Sequence, residues 1–269
     1  MKIKCIFVKI ISNMNKLLRP FEVLNNKTKT IVMLFSILLL LSLWGIASLG
    51  DVHLFPSIPQ VLAGFSDLYQ GGLVVHIFSS LGLFLKATFI SIIISLIFCY
   101  MSPISLLKPI ATVVSKLRYL PLTGIAFYIS ILINDARTVQ VWILVVFMTT
   151  FLTTSLLQML TDIPSEEFDH ARTLGCSRWE ILWEVVIKGR FDYVIEMVRQ
   201  NLAMVWVMLV TVESILAAAG GLGFLIKNND RLGDNGKVIA LQIVIIIIGI
   251  SIDWFLTKIR QLIFRYSNF

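Results

Sequence analysis

Residues 31–49 form an unbroken run of nineteen uncharged, mostly apolar side chains, and this run constrains the chain more than any other feature. Coiled as an α-helix it would be ~28 Å long, close to the thickness of the hydrocarbon layer of a bilayer. A cleaved signal peptide is the less favoured interpretation, because its apolar region usually has only ~7 to 15 residues and a shorter basic arm. We therefore expect a membrane-spanning helix here.

Five further apolar runs follow along the chain, and the charged residues are too few for a soluble domain. Charged side chains make up 14% of the 269 residues and hydrophobic ones 57%, whereas soluble domains carry about 25% charged residues. The sequence therefore predicts an all-α membrane protein with about six transmembrane helices. The expected spans are approximately 31–49, 81–101, 119–133, 139–160, 200–219 and 238–257.

The distribution of lysine and arginine predicts which ends of these spans face the cytoplasm, because positively charged loops are retained inside. Residues 1–30 contain seven such residues and residues 31–85 contain none. We expect a cytoplasmic basic segment at 1–30, one transmembrane domain at 31–269, and both termini inside. The loop between the last two spans carries three basic residues although it is expected outside, so it fits the rule least well. This pattern explains the net charge of +7 better than nucleic-acid binding does.

The loop between the fourth and fifth spans, residues 163–193, carries capping signals for two short helices. Ser165, followed by two glutamates, is placed to cap a first helix. That helix should end at Gly175, where a positive φ is expected. Ser177 and Glu180 have the spacing of a capping box, which predicts a second helix. The first helix also has an apolar side suited to docking, formed by Phe168, Ala171, Leu174 and Cys176.

The same loop resembles the EAA motif of binding-protein-dependent ABC importer permeases, in which E-A-A, three residues, glycine, nine residues and I-x-L-P follow one another. Residues 169–171 here read Asp-His-Ala, Gly175 holds the glycine position, and 185–188 read VVIK. The string ARTLGCSRW at 171–179 is similar to ARTLGASRW of the subfamily that imports nitrate, sulfonates, taurine and bicarbonate. The resemblance covers roughly residues 50–265, including FPSIP at 55–59 and GLGFLI at 221–226.

The sequence departs from the family pattern at several positions. The motif's glutamate is Asp169, one of its alanines is His170, and its closing proline is Lys188. In the second span, the stretch Ser91 to Tyr100 also has no glycine, whereas the subfamily is glycine-rich there. A coupling role is still expected despite these departures, but they make the native substrate hard to infer.

The resemblance implies a type I ABC importer permease fold in a bacterial inner membrane. It implies a homodimer that works with two ABC ATPase subunits and an extracytoplasmic solute-binding protein and imports a small anion such as a sulfonate, taurine or nitrate. ATP and Mg would be used by the ATPase. This chain has no GxxxxGK[ST] loop and is expected to bind no cofactor, to hold no metal and to be no enzyme. The residues implied in ATPase coupling are Glu167, Phe168, Asp169, His170, Ala171, Arg172, Leu174, Gly175, Ser177 and Arg178.

Ionisable residues inside the apolar runs need a partner or water, because a bare charge in lipid is costly. Glu196 and Arg199, spaced i, i+3, are expected to pair. Glu213 has no basic residue within reach on its own helix and is expected in the bundle interior, at a subunit interface or in the translocation cavity. Ser79 and Ser80 are either packing or pathway residues. The alternative function is a self-sufficient secondary transporter with an ion-coupling relay of Lys86, Arg199, Glu213 and Asp253.

Overall fold

The computed structural model describes residues 26–48 and 56–263, and these are almost entirely helical. Most of the expected basic N-terminal segment, residues 1–25, lies outside the described residues, as do 49–55 and the C-terminal 264–269. The chain divides into two compact units, residues 1–58 and 59–269.

The first unit contains one described helix, α1 (Asn26–Ala47). Its apolar stretch, Thr28–Ile46, is long enough to cross a bilayer, as the sequence predicts for this part of the chain. The apolar side chains along α1 are exposed, which suits a helix whose solvent is lipid. Near its end, the indole N–H of Trp44 donates a hydrogen bond to the carbonyl of Pro56 at 3.1 Å.

The second unit is a bundle of long helices joined by short ones. The long helices are α3 (Leu73–Met101), α6 (Ala136–Thr161), α9 (Phe191–Ile215) and α11 (Asn235–Ile263). The shorter helices are α2 (Ile58–Gln70), α4 (Lys108–Lys116), α5 (Leu122–Leu132), α7 (Ser165–Thr173), α8 (Arg178–Ile181) and α10 (Leu222–Arg231). A π-helix, Leu182–Lys188, and two 3₁₀ turns, Leu117–Tyr119 and Ala217–Ala219, complete the described elements.

Helices α3 and α6 run in the same direction, which fixes the path of the chain between them. The Ser91 hydroxyl lies 3.3 Å from the Val145 carbonyl, and the Ser95 hydroxyl lies 3.3 Å from the Thr149 carbonyl. Small hydroxyl residues at this contact let the two helices approach closely. Because the two helices are parallel, residues 102–135 must return across the full thickness of the bundle.

The returning segment is broken where the sequence predicts one continuous span at 119–133. Helix α5 has eleven residues and a length of roughly 16 Å, too short to cross a bilayer alone. Pro121 caps it in an extended conformation, with φ −67° and ψ 138°, because proline cannot continue a helix from the preceding turn. The crossing is therefore made by α4 and α5 together, and five helices in the described parts of the chain are long enough to span a membrane singly.

Helices α9 and α11 complete the bundle in alternating directions. The Gln140 amide of α6 donates to the Leu216 carbonyl at 2.9 Å, so α9 runs antiparallel to α6. The Trp206 indole donates to the Ile245 carbonyl at 3.0 Å and Arg199 pairs with Asp253, so α11 runs antiparallel to α9. We call the end of the bundle that carries Gly220–Gly223 the glycine end, and the end that carries residues 162–190 the loop end. Leucine and methionine side chains of α6 and α9 form the core between them, including Leu144, Met148, Leu152 and Leu209.

Several span boundaries extend beyond the apolar runs that predict them. Helix α9 begins at Phe191, nine residues before the expected 200. It can do so because its charged residues are paired: Arg199 contacts Glu196 at 2.7 Å, as predicted, and also Asp253 on α11 at 2.5 Å. Arg260 contacts Glu196 at 2.7 Å. A charge that is neutralised by a neighbouring helix no longer has to lie outside the span.

Candidate functional site

The loop end carries the helix–glycine–helix corner that the sequence predicts. Helix α7 ends at Thr173, and Gly175 has φ +79°, which confirms the expected left-handed conformation. The Cys176 N–H donates to the Ala171 carbonyl at 3.2 Å, and the Gly175 N–H donates to the Arg172 carbonyl at 2.9 Å. These two hydrogen bonds make a Schellman motif, which satisfies the last carbonyls of the helix and fixes the angle of the corner.

The second helix begins with the predicted capping box. The Glu180 N–H donates to the Ser177 hydroxyl at 3.3 Å, and the Ser177 N–H donates to the Glu180 carboxylate at 2.7 Å. Hydrogen bonds from the Ser177 backbone and hydroxyl hold the pKa of Glu180 below its ordinary value. Only four residues of this element, Arg178–Ile181, are α-helical, and the chain then continues as the π-helix to Lys188.

Two details of the loop differ from the sequence prediction. Ser165 does not cap α7, because Pro164 holds the extended capping position and Ser165 is already the first helical residue. Leu174 does not join Ala171 on a packed side: Ala171 is buried, whereas Leu174 lies beyond the helix end and is 71% exposed. Leu174 is the C-cap residue of α7, with φ −79° and ψ 0°, so it lies past the last helical residue and outside the packed side.

The other residues implied in coupling lie on the surface of the loop. Asp169 and Arg172 pair at 2.7 Å, but both are exposed, and such a pair contributes little stability. His170 and Arg178 are exposed, and Phe168 is half-buried. Glu167 is different because it pairs with Arg190, the residue that precedes α9, at 2.5 Å. This contact ties the first helix of the corner directly to a long helix of the bundle.

A second cluster, which we call the Glu213 cluster, lies at the glycine end. Glu213 is fully buried in the bundle interior, and the Ser80 hydroxyl lies 2.8 Å from both of its carboxylate oxygens. The Gly223 N–H donates to the same carboxylate at 3.0 Å. The Ser80 oxygen in turn accepts from the Leu222 N–H at 2.9 Å. The carboxylate therefore ties α3, α9 and the first turn of α10 together.

The glycines around this cluster are required by their conformation and by space. Gly220 and Gly221 have φ +75° and +108°, so the chain turns back at this end. A β-carbon at Gly221 would overlap the Glu213 carboxylate, and one at Gly223 would lie 2.7 Å from the Glu213 β-carbon. The glycines thus let the backbone reach the acid.

Arg137 is the functional candidate that sequence reasoning missed. It contacts Glu213 at 3.6 Å, donates to Gln140 at 2.9 Å, and donates to both the carbonyl and the hydroxyl of Ser79. Its position two residues before the expected start of a span at 139 made it look like an ordinary loop residue. The sequence did contain a signal for this pairing. Arg137 is a lone arginine beside an apolar run, and Glu213 is an acid in another apolar run with no basic residue within reach on its own helix.

The structure does not bring together the four residues of the alternative relay. Asp253 pairs with Arg199 towards the loop end. Glu213 lies fourteen residues further along α9 than Arg199, about 21 Å along the axis. Lys86 is exposed on α3 beside Arg137 and forms no ion pair within the described residues.

Comparisons with known proteins identify a family for the chain and solved structures with a similar fold. The chain matches the family described as "Binding-protein-dependent transport system inner membrane component" over residues 23–265. It is 26% identical to the taurine transport system permease protein TauC of Escherichia coli (strain K12) over 234 residues, which are 81% of this chain and 82% of that protein. Two inward-facing crystal forms of the MetNI methionine ABC transporter resemble the fold with a TM-score of 0.62 and 16% identity. The alignment with the native form covers 72% of this chain and 97% of the transporter chain. The alignment with the selenomethionine-soaked form covers 71% of this chain and 95% of the transporter chain.

Proposed function

Because the chain belongs to the family of binding-protein-dependent transport system inner membrane components, we propose that it forms the membrane pathway of an ATP-driven importer. The family, the taurine permease relative and the type I importer fold make it a multi-pass permease subunit of an ABC importer. In this proposal two copies of the chain work with two ABC ATPase subunits at the loop end and a solute-binding protein at the glycine end. The loop end and both termini then face the cytoplasm of a bacterial cell.

The exposed apolar corner at the loop end carries the proposal. Leu174 is 71% exposed and Trp179 is 69% exposed, although the Schellman motif and the capping box hold both in a fixed frame. Large apolar side chains that a rigid loop presents to water mark a surface that another protein covers. The residues of the implied coupling motif, from Glu167 to Arg178, surround this surface.

The contact between Glu167 and Arg190 gives the corner a mechanical link to the membrane helices. Arg190 precedes α9, whose 25 residues extend about 37 Å towards the glycine end. Glu213 lies near the far end of the same helix. When nucleotide closes the ATPase pair, the corner moves with it, and α9 acts as the lever between inward-open and outward-open states.

The solute is proposed to be a small sulfonate such as taurine. This proposal is supported by the relative named as a taurine transport system permease, which aligns with 81% of the chain. ATP and Mg act on the partner ATPase, because the chain has no phosphate loop of its own. The solute-binding protein makes the first selection among solutes outside the cell.

The test is to extract the tagged chain in mild detergent and to measure what co-purifies with it. We expect an ABC ATPase near equal stoichiometry, and we expect Leu174→Asp to abolish this association without loss of the folded chain. Leu232→Asp is the matched control, because Leu232 is 72% exposed but lies at the glycine end. Recovery of the wild-type chain without an ATPase, in a form that still transports, would refute the proposal.

A further inference from the structure

The loop end contains a cavity that neither the corner nor the Glu213 cluster uses. It has a volume of about 670 Å³ and lies between α6, α9 and the 3₁₀ turn at Leu117–Tyr119. This size falls in the range of small-molecule sites, roughly 300–1,000 Å³. The lining combines apolar side chains, such as Met159 and Met197, with ionisable groups from three separate elements.

Two arginines line this cavity, and one of them, Arg118, has donors that no acid uses in the described residues. Arg118 contacts the hydroxyl and the ring of Tyr119 and pairs with no acid among the described residues. Arg190 gives one nitrogen to Glu167 and lies over the Tyr193 ring at 5.4 Å. Its Nε is buried and has no hydrogen-bond partner in the described part of the chain. Guanidinium donors arranged in this way suit an oxyanion.

One carboxylate, that of Asp162, lines the same cavity. It accepts a hydrogen bond from the Gln158 amide at 2.9 Å and forms no ion pair within residues 56–263. The charges of Arg190 and Glu167 cancel each other, so one positive charge at Arg118 and one negative charge at Asp162 remain. A solute that complements this lining carries one anionic group and one cationic group.

We propose that this cavity binds a small zwitterionic solute with an ammonium group and a sulfonate or carboxylate group. Arg118 donates to the oxyanion, and Asp162 accepts from the ammonium. The assignment rests on the proposed function, because it places the solute where it leaves the permease at the loop end. It adds the residues and the charge pattern that recognise the solute inside the permease.

The test measures equilibrium binding to the purified full-length chain in nanodiscs, together with any subunits that co-purify. The probes are taurine, which is 2-aminoethanesulfonate, and ethanesulfonate, which lacks the ammonium group. We expect wild type to bind taurine about fivefold more tightly than ethanesulfonate, the size of one partly exposed ion pair. Asp162→Asn brings this ratio close to one. Arg118→Gln lowers the affinity for both probes about tenfold. Arg231 is an exposed arginine on α10, and Arg231→Gln changes neither affinity.

Each contrary result overturns the assignment. The assignment is wrong if wild type shows no saturable binding or binds the two probes with equal affinity. It is also wrong if Asp162→Asn leaves the ratio of the two affinities unchanged, or if Arg118→Gln binds both probes with full affinity. Affinity that changes with the fraction of anionic lipid but not with the probe would assign the cavity to a lipid headgroup instead. Co-purification of the ATPase is scored on the same preparations. Association without zwitterion binding refutes the cavity assignment alone. A wild-type chain that still transports without an ATPase refutes the proposed function.

Discussion

Gly175→Val isolates the backbone strain of the corner from any steric clash. Gly175 has φ +79°, and a β-carbon placed there meets no heavy atom within 4 Å. The added side chain therefore has room, and the whole penalty comes from holding an L-residue in the left-handed region. Because the corner lies on the surface, the variant can relax there without disturbing the bundle.

The expected loss of ATPase affinity follows from this backbone conformation. Holding an L-residue in the left-handed region costs about 1–2 kcal/mol, and a β-branched residue tolerates this conformation less well than most residues. If docking requires the native corner, the relaxed variant must pay this free energy when it binds. A cost of 1–2 kcal/mol corresponds to a loss of roughly 5-fold to 30-fold in the affinity for the ATPase. Asparagine enters the left-handed region more readily, so Gly175→Asn should lose no more than about threefold.

The assay titrates the permease in nanodiscs with its purified ATPase and compares the dissociation constants. Gly72→Val is the matched control, because Gly72 has φ +84° and also has no heavy atom within 4 Å of its β-carbon position. Gly72 lies between α2 and α3 at the glycine end, so the control carries the same strain far from the corner. We expect the control to bind the ATPase as wild type does. If Gly175→Val binds the ATPase as tightly as wild type, or if both valine variants lose affinity equally, the strain at Gly175 does not govern docking.

Three further predictions concern the Glu213 cluster and the capping box. Glu213→Gln removes the charge that faces an arginine, so we expect slower uptake and a loss of about 1–3 kcal/mol in the free energy of unfolding. ATPase association should be unchanged. Normal uptake by this variant would show that the acid has a purely structural role. Gly223→Ala should prevent stable folding, since its β-carbon would lie 2.7 Å from that of Glu213, whereas Gly82→Ala on open helix surface should fold normally, as thermal unfolding will show. Glu180 has a lowered pKa in the folded chain, so its contribution to the cap is complete above its ordinary pKa and is lost as the pH falls through the folded value. The amide protection factors at residues 177–181, which compare the exchange rate with the intrinsic rate at each pH, should therefore fall in acid for wild type and show little change for Glu180→Ala.

Local features of this chain follow from its sequence because their interactions reach only a few residues. The capping box joins Ser177 to Glu180, and the Schellman motif joins Ala171 to Cys176. The positive φ of Gly175 belongs to the same short stretch. These features are predictable because no distant part of the chain takes part in them.

The broken third span shows where sequence patterns mislead. Residues 119–133 are apolar enough to suggest one helix, but Pro121 starts a new element and leaves only eleven residues for α5. Hydropathy counts the side chains of a window without regard to the backbone that connects them. The parallel packing of α3 and α6, seen at Ser91 and Ser95, is what reveals that α4 and α5 cross together.

The amino-acid pattern is enough to predict a bundle of membrane helices with a capped glycine corner, because long apolar runs must satisfy their backbone hydrogen bonds within helices. Which residues meet across those helices depends on how the helices pack. Ser80 reaches Glu213 over 133 positions, and Arg137 faces the same acid from a third helix. Lipid is as apolar as the side chains that face it, so periodicity does not tell which face of a helix meets a neighbour. The partner of a buried charge is therefore fixed by the packing of helices that lie far apart in the sequence.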